Sequence, residues 1–169
     1  MEKRPKIKIR WNGTDRFWEV SGWLLLLFLW VLILVNYKKL PETIPSHFDL
    51  SGMPDDYSSR GTIFLLPALA SVIYIGLTIL NRFPHKFNYI SAITTANAKR
   101  QYTFATKMIR FLKWGIVLLC CFISYQTVQI ALGKETGIGG WIVPFLIAGS
   151  LIFVVITVLH SVRKVPSDN

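Results

Sequence analysis

Long apolar runs alternate with polar connectors along the chain. Four windows, Val20–Asn36, Thr62–Leu80, Gly115–Leu132 and Trp141–Leu159, are 17 to 19 residues long and contain no Asp, Glu, Lys or Arg. At 1.5 Å per residue each approaches the ~20 residues that cross about 30 Å of hydrocarbon. A charge at mid-membrane costs roughly 2.5–3.5 kcal/mol on insertion scales, so four charge-free windows predict four spanning helices. The expected fold is all-α and integral to the membrane. It has a basic tail (1–19), one four-helix membrane domain (20–160) and a second tail (161–169). The basic start followed by an apolar run resembles a signal peptide. The residues after it, Asn36-Tyr37-Lys38-Lys39-Leu40-Pro41, offer no small-x-small cleavage pattern, so the first window reads as an uncleaved anchor.

The connectors differ in character. Within the segment 83–113, Ala98, Tyr102, Ala105, Ile109 and Leu112 recur at helical spacing as an apolar stripe. Lys99, Arg100, Thr103, Lys107, Arg110 and Lys113 fall outside it. This predicts a basic amphipathic helix at the membrane surface, running on into the third spanning helix, with Lys99, Arg100, Lys107, Arg110 and Lys113 as an inner basic face for anionic lipid or a partner. Pro84 and Asn88 suggest an irregular start. The other connector, 38–61, is rich in Pro, Gly and acids and predicts an ordered cap. Leu40, Ile44 and Met53 precede prolines and should be extended. Strand alternation would turn Ile44, Ser46, Phe48 and Leu50 one way and Pro45, His47 and Asp49 the other. Gly52 is free to adopt positive φ, and Pro54 restricts the bend.

Composition and charge sharpen this picture. The 169 residues are 52% hydrophobic and 17% charged, against about 25% charged in an ordinary soluble domain. A net charge of +10 raises the possibility of nucleic acid. Its distribution points instead to a membrane, with no nucleic-acid partner. Lys3, Arg4, Lys6, Lys8, Arg10 and Arg16 precede the first window, Arg82, Lys86, Lys99, Arg100, Lys107, Arg110 and Lys113 lie between the second and third, and Arg163 and Lys164 follow the fourth. Only Lys38, Lys39, Arg60 and Lys134 fall on the opposite side. The positive-inside rule then places both termini in the cytoplasm and the cap outside. Trp18, Trp23 and Trp114 would mark the inner interface, and Tyr37, Tyr125 and Trp141 the outer one, while Trp30 reads as packing. Cys120 and Cys121 are adjacent on a helix and read as small apolar packing residues.

Candidate chemistry is sparse. The windows offer only neutral polar groups: Tyr74, Thr78 and Asn81 in a line on the second helix, and Gln126 and Gln129 on the third. Hydrogen bonds between helices are the default role of such groups, and ion-coupled transport lacks its mid-membrane ionisable residues. Pro67 and Pro144 could kink their helices. The candidate site is the cap: Pro45, His47, Phe48, Asp49, Gly52, Pro54, Asp56, Tyr57 and Arg60. His47 and Asp49 are the first candidate metal ligands, although a convincing site needs three or more converging ligands. The alternative is that His47 and an Asp hold turn amides and latch the cap shut.

The string LP-x2-IP-x-HF-x3-G-x-P-x2-Y-x2-R, Leu40 to Arg60, resembles the signature of a bacterial membrane family described as domain of unknown function 1648. The same domain opens SdpI-like proteins, which confer immunity to a secreted peptide toxin. Those are longer chains with further spanning helices. The resemblance implies a multi-pass protein of the bacterial cytoplasmic (inner) membrane in which the cap is important. Two functional classes follow. One is a non-enzymatic envelope protein without a cofactor, resisting or sensing a peptide through the cap, with the bilayer, anionic inner-leaflet lipids and a peptide or protein as partners. The other is a metal-binding or hydrolytic membrane enzyme using His47 and nearby carboxylates. A small transporter ranks below both.

Overall fold

A computed structural model describes residues 4–162, so Lys3, Arg163 and Lys164 of the basic tails lie outside the described residues. The chain runs α1 (Gly13–Asn36), β1 (Thr43–Phe48), β2 (Pro54–Ser59), α2 (Leu65–Leu80), α3 (Ala98–Ala131) and α4 (Ile142–Val162), with short 3-10 turns between some of them. Among the described residues, three segments are long and apolar enough to cross a membrane: Gly13–Lys39, Arg60–Leu80 and Ala98–Ala131. The fourth window, apart from Trp141, lies in α4, whose apolar stretch, Pro144–Leu159, is shorter than those three. The protein is therefore mostly helical, with membrane-spanning character.

Local chemistry sets the helix ends. Asn12 caps α1 by a capping box: its Oδ1 accepts from the Asp15 amide at 2.8 Å, and Asp15 Oδ2 accepts from the Asn12 amide at 2.9 Å. Pro67 and Pro144 both fall in the first turn of their helices, where no intrahelical donor is lost. Residues between α2 and α3 are irregular apart from a turn at Pro84–Lys86, as Pro84 and the polar residues around it suggest. No separate amphipathic helix precedes α3. It is one continuous helix of 34 residues, about 51 Å at 1.5 Å per residue, well beyond a ~30 Å hydrocarbon slab.

α1 and α3 run side by side in the same direction, with α2 antiparallel against both. Two apolar clusters fill the contact. Leu26, Leu29, Ala70, Tyr74, Val117, Cys120 and Cys121 pack at mid-helix. Ile33, Leu40, Ile44, Ile63 and Val128 pack near the β1–β2 end. The cysteines are free and buried, as packing residues. Gly22 allows the close approach of α1 and α2, because a Cβ there would lie 2.3 Å from the Tyr74 hydroxyl. Trp30 donates from Nε1 to Ser71 Oγ at 3.0 Å and stacks on Phe64, a packing role.

The all-α expectation needs one correction. The cap is a two-stranded antiparallel hairpin, with Thr43 opposite Ser59 and Phe48 opposite Pro54. The register slips around Ser46, so simple alternation fails there. Ile44 and Pro45 are both buried, and Leu50 is 81% exposed in the turn instead of sharing Ile44's apolar face. Pairing is regular from Thr43 to Pro45, so Ile44 and Pro45 turn to opposite faces. Their joint burial means that the strand is covered on both sides there, which period-two counting for a half-buried strand does not anticipate.

Candidate functional site

The hairpin is held from two sides. On its helix side, Ile44 packs with Ile33, Ile63 and Val128, and the Arg60 amide donates to Glu42 O at 2.8 Å. Arg60 places its guanidinium 5.3 Å from the Tyr37 ring centre, and that ring packs on Phe64. At the tip, Gly52 has φ +82°, the left-handed conformation that its sequence position suggests. Its carbonyl accepts from the Ile138 amide at 2.8 Å. A Cβ at Gly52 would meet Gly139 backbone at 2.8 Å, and one at Gly137 would meet Gly52 O at 2.6 Å. The glycines between α3 and α4 thus let that loop close onto the hairpin turn. Nothing in the spacing of "TGIGG" had marked them as part of the cap.

The polar residues divide into two jobs. Asp49 organises the turn: Oδ1 accepts from the Ser51 amide (2.9 Å), the Ser51 hydroxyl (2.6 Å) and the Met53 amide (2.9 Å). The Ser51 hydroxyl first, and then the Met53 amide, hold its carboxyl below the ordinary value of 3.8. His47 does not share this carboxylate. Its Nδ1 lies 2.6 Å from Asp55 Oδ1, and both side chains are exposed. Asp56 accepts from the Ser46 hydroxyl at 3.2 Å. Among the described residues no group of three or more His, Cys, Asp or Glu side chains converges as metal ligands would. Asp55, absent from the sequence-derived site, is the residue His47 meets. Tyr57 is 56% exposed, Phe48 half-buried, Pro45 and Gly52 buried, and Pro54 partly covered.

At the opposite end lies a site the sequence reading missed. Asp15 and Glu19 of α1 meet Arg110 and Lys113 of α3, and all four are buried. Arg110 Nη1 is 3.1 Å from Asp15 Oδ1, and its Nε is 3.4 Å from Glu19 Oε1. Lys113 Nζ reaches Glu19 Oε2 at 2.7 Å, Thr78 Oγ1 at 2.6 Å and the face of the Tyr74 ring at 4.3 Å. The Tyr74 hydroxyl donates to Glu19 O at 3.0 Å, and Asn81 Nδ2 to Thr106 O at 3.1 Å. The polar line on α2 therefore does bond across helices. Two acids and two bases balance, as burial demands.

This corrects the inner basic face. Lys99 and Lys107 are exposed and Arg100 is partly so, but Arg110 and Lys113 point into the helix packing. Ala105, Ile109 and Leu112 of the apolar stripe are the more exposed side at that level. Apolar residues can face lipid, and charges that find partners can face inward. The signal was present as two pairs: Asp15 and Glu19 are four apart, Arg110 and Lys113 three apart, each on one helix face. They fell just outside the charge-free windows.

Residues 24–70 match the family described as Domain of unknown function (DUF1648), the family the cap motif resembles. An uncharacterized protein of Archaeoglobus fulgidus (strain ATCC 49558 / DSM 4304 / JCM 9628 / NBRC 100126 / VC-16) is 37% identical over 68 residues, which is 36% of this chain and 37% of that protein. The similarity thus spans little more than a third of the relative's length. No solved structure matches.

Proposed function

We propose that this chain, which carries DUF1648 over residues 24–70, is a non-enzymatic, multi-pass protein of a prokaryotic cytoplasmic membrane that recognises an extracytoplasmic peptide or protein through the β1–β2 hairpin. α4 supplies a fourth span, and both termini lie on the cytoplasmic side. The charge distribution supports this orientation. Arg4, Lys6, Lys8, Arg10, Lys86, Lys99 and Lys107 precede α1 or lie between α2 and the middle of α3, whereas the acidic hairpin occupies the other end.

One observation carries the recognition role. The hairpin is fastened by the helices and by the α3–α4 loop, yet it leaves the His47–Asp55 pair, Tyr57 and the apolar Leu50 and Met53 exposed. A rigid element that presents aromatic, apolar and hydrogen-bonding groups loses little conformational entropy on binding. Peptide resistance or sensing is the activity of this class that fits such a surface.

The test is complementation of a deletion strain challenged with secreted antimicrobial peptides. His47→Ala and Tyr57→Ala should each reach parental abundance in the membrane and fail to restore tolerance. Parental tolerance from both variants would overturn the reading.

A further inference from the structure

We infer that a cavity at the basic end is a binding site for a phosphate-bearing, hydroxylated headgroup. Its volume is about 230 Å³, and its lining includes Lys8, Trp11, Asn81, Arg82, Thr106 and Arg110. That is room for more than the single water that a small polar void would hold. The N-terminal segment covers it: Arg4 donates to Phe87 O at 2.6 Å, and Trp11 lies with its ring centre 5.0 Å from the Arg110 guanidinium.

Charge sets the ligand's sign. Asp15 and Glu19 balance Arg110 and Lys113. Lys8 and Arg82 are exposed and form no ion pair among the described residues, so the lining carries two uncompensated positive charges. Cationic side chains of this kind match phosphate oxygens.

Asn81 adds the second requirement. The residue is only 9% exposed; its Nδ2 donates to Thr106 O, which fixes the amide's orientation. Its Oδ1 is buried and meets no hydrogen-bond donor among the described residues. A buried acceptor calls for a donor. An ionised phosphodiester group has none to give, whereas a hydroxyl on the same headgroup does. The phosphate would lie between Lys8 and Arg82, with the hydroxyl toward Asn81. Lys113 lies 18 residues before the end of α3, about 27 Å along the helix, so the site falls at the edge of a ~30 Å slab. A glycerophospholipid headgroup or a soluble phosphomonoester can reach it there.

The experiment uses the full chain purified in neutral detergent, where both ends are accessible and the result does not depend on membrane orientation. Probes are phosphatidylglycerol, phosphatidylmethanol (the same charge without headgroup hydroxyls), phosphatidylcholine and glycerol 3-phosphate, read by thermal shift and native mass spectrometry. The parent should bind phosphatidylglycerol or glycerol 3-phosphate in preference to phosphatidylcholine. K8Q/R82Q should weaken that binding at least tenfold, and K99Q/K107Q, which removes equal charge from exposed positions of α3, less than twofold. Asn81→Ala should erase the preference for phosphatidylglycerol over phosphatidylmethanol. Binding of the lipid alone identifies a lipid site, and equal binding of glycerol 3-phosphate identifies a soluble phosphomonoester. Equal weakening by the two double variants, or no discrimination from phosphatidylcholine, would overturn the inference.

Discussion

At the residue scale, Asp49 is the hinge of the hairpin's order. Its folded pKa is depressed by the hydrogen bonds it accepts, so its contribution is fully present above the ordinary value of 3.8 and is lost as pH falls through the lower folded value. Amide protection factors at Ser51 and Met53, taken against the intrinsic exchange rate at each pH, should therefore stay high at neutral pH and fall only below that range, and Asp49→Ala should lower both at neutral pH. Unchanged protection in the variant would remove Asp49 from this role. His47 illustrates the limit of reading residues by proximity. Asp49 is two positions away and Asp55 eight, yet the strand pairing delivers Asp55.

Lys113 shows the energetic counterpart. Removing one partner of a buried pair leaves the other charged and unpaired, at a cost of about 3–5 kcal/mol. Lys113→Met should lie toward the low end of that range, because Arg110 Nε remains 3.4 Å from Glu19. Adding Glu19→Gln to it should recover part of the loss, measured by reversible unfolding in mixed micelles. A double variant no more stable than Lys113→Met would contradict the pairing.

At the element scale, the fit between α1 and α2 depends on one small residue. Gly22→Ala would drive a methyl onto the Tyr74 ring and hydroxyl, and Tyr74 is fully buried with little room to yield. The variant should lower the unfolding midpoint, and Tyr74→Phe should rescue it in part, since the shortest approach, 2.3 Å, is to the hydroxyl. No rescue would place the strain elsewhere. The apolar windows anticipated these helices well, because hydrocarbon thickness and the cost of charge constrain length and composition together. The windows did not give the faces. In a membrane the apolar side of a helix can look outward, and the stripe divides: Ala98 and Tyr102 are buried, Ala105 and Ile109 half-buried and Leu112 exposed, while Arg110 and Lys113 turn inward. The hairpin was legible as extended chain with a glycine turn. Its bulge, and the Gly137–Gly140 loop that receives its tip, depend on tertiary contacts that local spacing does not encode.

At the scale of the whole molecule, the two ends are chemically distinct. One carries a hairpin with exposed acids and the other a balanced buried charge cluster under a basic N-terminal segment. Glu19 and Asn36 lie 17 residue steps apart on α1, about 26 Å of helix, which is close to the ~30 Å hydrocarbon slab of a bilayer. Trp18 and Trp114, 5.0 Å apart, lie beside the charge cluster where an aromatic belt would be. Everything proposed for the hairpin depends on which side of the membrane it occupies. The decisive measurement is labelling of single cysteines by a membrane-impermeant maleimide in a Cys120→Ala/Cys121→Ala background. Leu50→Cys should label in intact cells and Lys99→Cys only after permeabilisation. Labelling of Lys99→Cys in intact cells, with Leu50→Cys protected, would contradict the account.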